Sequence, residues 1–173
     1  MGSELEVRPL LESDDRGSFS CGQADLDRFF HHFAGQNQFK HHLSVTYVAV
    51  AEEVILGFAT VTAGAVLRED LPLGAKRPPN YPLPVLRLAR IGVDLRAQKA
   101  GVGKALLRHV LLLALKQRDS AGCVGLVTDA KPEAVGFYER HGFIALEDVR
   151  EGTLLQGEPV PMFLPIDIVA ATE

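Results

Sequence analysis

A chain of 173 residues is long enough for one domain with a sheet covered by helices, and 47 % hydrophobic against 23 % charged residues is an ordinary globular balance. No stretch approaches the ~20 continuous apolar residues of a membrane span, and the opening Met-Gly-Ser-Glu-Leu-Glu lacks the basic start and apolar core of a secretory signal. Only two cysteines occur, Cys21 and Cys123, without metal-ligand spacing, so plain thiols in a reducing cytoplasm are expected. The net charge of −4 argues against a polyanionic partner, yet it is unevenly spread. From Arg68 to Arg118 eleven Lys/Arg stand against three Asp/Glu, while the remainder holds seven against nineteen. That asymmetry has two readings: a positive patch that receives a polyanion, or charges that serve a small ligand's phosphates and a solvated helix face.

In chain order, Leu5–Leu10 is predicted as a first strand. Ala24–Gln38 is predicted as a helix, because Leu26, Phe29, Phe30 and Phe33 recur at helical spacing and Asp25 and Asp27 fall in its first turn. Val45–Ala51 and Val54–Ala63 are apolar, β-branched runs separated by Glu52 and Glu53, the pattern of an antiparallel hairpin. Leu67–Pro84, rich in Pro, Gly and charge, is loop, and its length makes it a candidate functional segment. Val85–Val93 reads as a central strand, followed by a long amphipathic helix from Gly101 to about Arg118. Cys123–Thr128 is a buried strand, Glu133–His141 a short helix, Phe143–Glu147 a strand and Pro161–Ile166 a final strand. One mixed α/β domain over residues 1–173 is expected.

The most informative segment runs from Val93 to Leu107: a strand end, a short loop with Gly101 and Gly103, and a helix start. Free N–H groups at a helix N-terminus and the macrodipole favour an anion there, and glycine lets the backbone approach a phosphate. Lys99 and Lys104 flank the loop, which together describes a pyrophosphate cradle. A Walker loop would need Ser or Thr after Gly103-Lys104, where Ala105 stands; a dinucleotide fingerprint would need a third glycine where Leu106 stands.

Gln98-Lys99-Ala100-Gly101-Val102-Gly103 resembles the Gln/Arg-x-x-Gly-x-Gly/Ala acetyl-CoA loop of the GNAT superfamily of N-acetyltransferases. About thirty residues on, the stretch from Ala130 to Phe143, with Phe137-Tyr138-Glu139-Arg140-His141-Gly142-Phe143 at its end, is similar to that family's second signature. The resemblance implies an α/β (α+β) fold with a splayed, mixed, mostly antiparallel sheet flanked by helices. It implies acetyl-CoA as co-substrate and no metal. The strand edge Ile91, Gly92 and Val93 would pair with the pantetheine arm as an added strand does. The pyrophosphate would lie on Gln98, Lys99, Ala100, Gly101, Val102, Gly103 and Lys104, with Lys131 and Ala134 also on the cofactor side. Lys131 stands where many members carry Asn.

Nearly the whole chain further resembles one branch, the GNAT toxins of bacterial toxin–antitoxin pairs, which block translation by acetylating the amino group of aminoacyl-tRNA. Phe19-Ser20-Cys21-Gly22 before Leu26-Asp27, Ile55-Leu56-Gly57-Phe58, Tyr81-Pro82-Leu83-Pro84-Val85 and Pro161-Met162-Phe163-Leu164-Pro165 carry that likeness. Two departures stand out: Lys99 replaces the first glycine of the branch's loop, and the chain is acidic where an RNA-directed toxin would present a basic surface. The branch implies aminoacyl-tRNA as acceptor and a small ribbon-helix-helix antitoxin as partner. The apolar C-terminal strand could pair across a homodimer, and the location expected from the plain thiols is cytoplasmic. Two other functions compete: a metabolic or protein N-acetyltransferase acting on a small amine or lysine, and a catalytically silent acyl-CoA-binding module.

Acetyl transfer needs a neutral amine, a polarised thioester carbonyl and a proton for the leaving thiolate. An aminoacyl ester's α-amino group titrates near neutrality or below, so water suffices as base and the use of a protein base stays open. Backbone N–H near Val93 would polarise the carbonyl. Tyr138 is the candidate general acid by its place in the motif; the competing reading is a core aromatic like its neighbours Phe137 and Phe143. Arg87 and Arg90, read as alternate positions on the strand before the cofactor edge, and Arg77 in the long loop are candidates for a phosphate or RNA backbone. The paired His31–His32 and His41–His42 read as solvated surface, and no His, Cys or carboxylate spacing supports a metal.

Overall fold

The computed structural model describes residues 4–67, 71, 82–146 and 158–171. Seven strands form one sheet: β1 (Glu6–Pro9), β2 (Val45–Ala51), β3 (Val54–Leu67), β4 (Pro82–Val93), β5 (Gly125–Ala130), β6 (Ile144–Ala145) and β7 (Val160–Pro165), in the order β1-β2-β3-β4-β5-β7-β6. The helices are α1 (Ala24–His32), α2 (Val102–Ser120), α3 (Val135–Arg140) and α4 (Ile166–Ala171). β1–β2, β2–β3, β5–β7 and β6–β7 pair antiparallel, which makes the fold a mixed α/β one with a mostly antiparallel sheet. Among the described residues no helix is long and apolar enough to cross a membrane.

The chain groups into two units, Met1–Thr62 with Leu88–Leu112, and Ala63–Arg87 with Leu113–Glu173. The first is built on phenylalanine. Phe30 stacks on Phe58 at 4.6 Å, and Phe19 meets both edge-on at 4.9 and 5.5 Å. Leu10, Val48, Val50 and Ile55 complete that core. Gly57 of β3 lets the start of α2 seat against the strand, since a Cβ there would fall 2.6 Å from Val102 Cγ1 and 2.9 Å from Leu106 Cδ1. The second unit packs Leu71, Leu83, Val85, Val127 and Phe163, a smaller and mostly aliphatic cluster.

The hairpin register follows the apolar alternation, with Val45 opposite Val61 and Ala51 opposite Val54, and β3 runs four residues past its expected end. Two helical expectations change. The helix expected over 24–38 is interrupted by a turn at Phe33, resumes at Ala34 and Gly35, and passes into a π-helix over Gln36–Lys40. Phe33, which shares the helical spacing of Leu26, Phe29 and Phe30, is 41 % exposed. α4 was not expected: six residues are too few to show a period, although Pro165 before it and Asp167 in its first turn are helix-start signals. Most of the long loop expected over 67–84, including Arg77, lies outside the described residues.

Candidate active site

β4 ends at Val93 and the chain passes through a short 3-10 turn, Leu95–Ala97, before α2. Asp94, only 2 % exposed, organises that passage. Its carboxylate accepts the N–H groups of Ser20 at 3.1 Å and Arg96 at 2.9 Å, and takes the Arg96 guanidinium through two contacts of 2.8 and 3.0 Å. The Asp94 N–H donates to Leu56 O at 2.8 Å, and the Leu95 N–H to Ser20 O at 2.9 Å. The Arg96 side chain above all, helped by the two backbone N–H groups, brings the Asp94 carboxyl down to about 2 against the cost of burial. The Gln98 amide then donates to Cys21 O at 3.3 Å and Val93 O at 3.2 Å. Strand end, turn and the Ser20–Cys21 segment are therefore tied together. Sequence reading missed Asp94, whose only signal was an acidic residue between an apolar strand and a turn. Cys21 adds no nucleophile, because burial pushes its thiol up to about 11.

Beyond Gln98 the backbone turns left-handed twice, at Lys99 (φ 66°) and Gly101 (φ 86°), and α2 begins at Val102. Glycine relieves that conformation at 101; Lys99 carries it with a side chain. A Cβ built on Gly101 would meet nothing within 4 Å, so glycine is there for backbone freedom, and that side of the loop is open. The Ala105 N–H donates to Gly101 O at 3.0 Å, the first turn of the helix, and first-turn N–H groups have no partner inside a helix. Lys99, Ala100 and Lys104 are exposed, and Gly103 is half-buried. Left-handed turn, helix N-terminus, two lysines and an open face match the needs of a pyrophosphate. Ile91 and Val93 are half-buried and Gly92 is buried in the same unit.

Tyr138 belongs to the other unit. It is 3 % exposed, with its ring between Phe137 at 5.3 Å and Phe143 at 5.1 Å and its hydroxyl hydrogen-bonded to the Thr128 side chain. Burial pushes the phenol up to about 12, so it holds its proton at neutral pH and can donate it. Lys131 caps a 3-10 turn over Pro132–Ala134, and both Lys131 and Ala134 are half-buried.

The two described arginine candidates do not behave as a pair. Three residues apart on a strand of period two, they do not occupy alternate positions on one face. Arg87 meets the carboxylate of Asp129 at 3.7 Å. Arg90 sits over the Phe29 ring, its guanidinium carbon 4.0 Å from the centroid, beside a cavity. Of the histidines read as solvated, His31 instead anchors the Phe19 carbonyl at 2.7 Å. Among the described residues no group of three His, Cys, Asp or Glu is placed to hold a metal.

Comparison with known proteins places this geometry among relatives. Residues 42–145 match the family model described as "Acetyltransferase (GNAT) domain". The chain is 31 % identical over 137 residues to a "tRNA-acetylating toxin" of Mycobacterium tuberculosis (strain ATCC 25618 / H37Rv), covering 79 % of this chain and 82 % of that protein. It is 27 % identical over 164 residues to a "Probable toxin TacT" of Sinorhizobium fredii (strain NBRC 101917 / NGR234), covering 88 % and 85 %. Among solved structures, the fold matches "AtaT complexed with acetyl-methionyl-tRNAfMet" with a TM-score of 0.81 at 24 % identity, over 98 % of this chain and 99 % of that one.

Proposed function

Because the chain belongs to the GNAT acetyltransferase family, we propose that it transfers the acetyl group of acetyl-CoA to the amino group of aminoacyl-tRNA, and so acts as a translation-blocking toxin. The observation that carries the acyl-transfer half is the Asp94–Lys104 turn, whose left-handed backbone opens onto the start of α2 with two lysines beside it. The acceptor half rests on the relative from Mycobacterium tuberculosis, similar over four-fifths of both chains. On this reading Gln98 to Lys104 hold the pyrophosphate, Ile91 to Val93 pair with the pantetheine arm, and Lys131 and Ala134 line the cofactor side. The whole chain works as one acetyltransferase domain in the cytoplasm, held in check by a small DNA-binding antitoxin.

The neutral amine attacks the thioester carbonyl, the carbon–sulfur bond breaks, and the departing thiolate needs a proton. Tyr138 supplies it. A phenol at about 12 stands above an ordinary thiol near 8.5, so full transfer is uphill until the thiolate forms in equally water-poor surroundings, where its own basicity rises. Hydrogen bonding to charge as it develops is the larger share of what such a group contributes.

The test incubates the protein with labelled acetyl-CoA and total aminoacylated tRNA, with deacylated tRNA and a panel of small amines in parallel. Label on the aminoacyl group alone is the expected result. Label on small amines and never on tRNA would replace this reading with a metabolic acetyltransferase, in keeping with the net charge of −4.

A further inference from the structure

A cavity of about 280 Å³ opens beside α1, lined by Asp25, Arg28, Phe29, Phe33, Asn37 and Arg90. Four of the six recur every fourth residue, 25, 29, 33 and 37, so one stripe of the helical segment furnishes a whole wall. The break at Phe33 keeps the stripe in line: its N–H still bonds Phe29 O at 2.8 Å, and the Asn37 N–H bonds Phe33 O at 3.0 Å. Arg90 completes the lining, its guanidinium carbon 4.0 Å from the centroid of the Phe29 ring. A cation held over a ring is restrained relative to a free side chain that samples many rotamers.

The chemistry of these walls is specific. An exposed aromatic ring and a guanidinium plane are the two surfaces on which a splayed nucleobase stacks. The Asn37 amide offers both donors and an acceptor to a base edge. Arg28 and Arg90 bring two positive charges against the single carboxylate of Asp25, which suits a phosphodiester. Arg90 also directly precedes Ile91–Val93, and three residues of strand span roughly 10 Å.

We propose that this cavity receives an unpaired nucleotide from the 3′ end of the acceptor RNA, its base stacked on Phe33 and its phosphate held by Arg28 and Arg90. The inference rests on the aminoacyl-tRNA reading for its biological meaning, but the site itself makes a claim that stands apart from acetyl transfer.

The experiment measures binding of a fluorescently labelled single-stranded eight-nucleotide RNA ending in CCA to the full chain, by anisotropy at fixed low salt. The wild type, Phe33→Ala, Phe33→Tyr and Asn37→Ala are compared, with thermal melting to show that each is folded; Phe33, already 41 % exposed, is not needed to hold the core. Loss of one stacked base is worth about tenfold in affinity. Phe33→Ala is therefore expected to weaken binding about tenfold, Asn37→Ala by less, and Phe33→Tyr to restore it. Lys116→Ala, removing an exposed cation of α2, is expected to leave binding unchanged. Absence of RNA binding by the wild type overturns the proposal, as does equal binding by Phe33→Ala and wild type. The acetylation assay reports separately: protein that binds the RNA through Phe33 yet acetylates only small amines retains the nucleotide site and loses the toxin reading.

Discussion

The two parts assigned to acetyl transfer are made in opposite ways. The Asp94–Lys104 segment is a surface built from backbone: an open left-handed turn at Gly101 and a helix start, fastened from behind by Asp94 and Gln98. Tyr138 is a single side chain sealed among Phe137, Phe143 and Thr128. A backbone site binds through groups that every residue has, so it tolerates side-chain change and is vulnerable to changes of φ. This is why Lys99 can stand at a left-handed position where the family's branch carries glycine. A side-chain site has the reverse sensitivities.

The sharpest way to break the contrast is Tyr138→Phe. Ring and packing survive, and only the hydroxyl and its bond with Thr128 are lost. Transfer under single-turnover conditions is expected to fall ~100-fold or more, as general acids contribute, while acetyl-CoA affinity measured by calorimetry stays within a factor of about three. Full turnover by a folded variant would reduce Tyr138 to a core aromatic.

Gly101→Val applies the complementary insult. There is room for the side chain, but a β-branched residue at φ 86° is strained. The loop is expected to relax out of the left-handed region, and restoring it on binding costs about 1–2 kcal/mol, so acetyl-CoA should bind about tenfold more weakly. At saturating acetyl-CoA the chemical step should be little changed. A lower kcat with unchanged affinity would show that this turn serves the reaction and not the cofactor.

Asp94 tests what fastens the backbone surface. Its carboxyl sits at about 2 when folded and near 3.9 when unfolded. The stability it contributes is therefore fully present above about pH 5 and lost as the pH falls through 3.9 and then 2, about 3 kcal/mol in all. Urea titrations of Asp94→Asn should show that loss already at pH 7, with the gap to wild type closing toward pH 2. A gap that persists unchanged at acid pH would mean that the charge on Asp94 is not what secures the turn.

The same contrast governs what could be read in the sequence. The long helix, the hairpin and the strand leading to Val93 are legible because each buries a continuous periodic face. The left-handed turn at Gly101 is legible because a requirement on φ selects glycine, which is visible as a letter. Tyr138 is legible only through its resemblance to a family motif, since burial and the Thr128 bond join residues with no spacing rule. Asp94 reaches 74 residues back to Ser20, and no local pattern encodes such a contact. Phe33 keeps the helical spacing of Phe29 yet is 41 % exposed and lines the cavity, a difference that spacing alone does not encode.

The smallest effect expected is at His109, on α2 two turns beyond Gly101. Its ring lies 4.6 Å from Tyr47, and its Nε2 is buried without a hydrogen-bond partner among the described residues. Burial lowers its pKa below the ordinary value, so the unfolded chain takes up a proton first as the pH falls. Stability carried by the neutral ring is whole above about pH 6.5 and declines as the pH drops through that value. His109→Phe removes the unpaired nitrogen and the titration together. It is expected to stabilise the protein by about 1 kcal/mol at pH 7, with a margin over wild type that widens toward pH 5 in urea titrations. Acetyl-CoA affinity should not move, because a cradle built from backbone at one end of α2 is indifferent to a side chain two turns along it. A changed affinity would mean that the helix interior sets the cradle's geometry, and the division between backbone-built and side-chain-built parts would have to be redrawn.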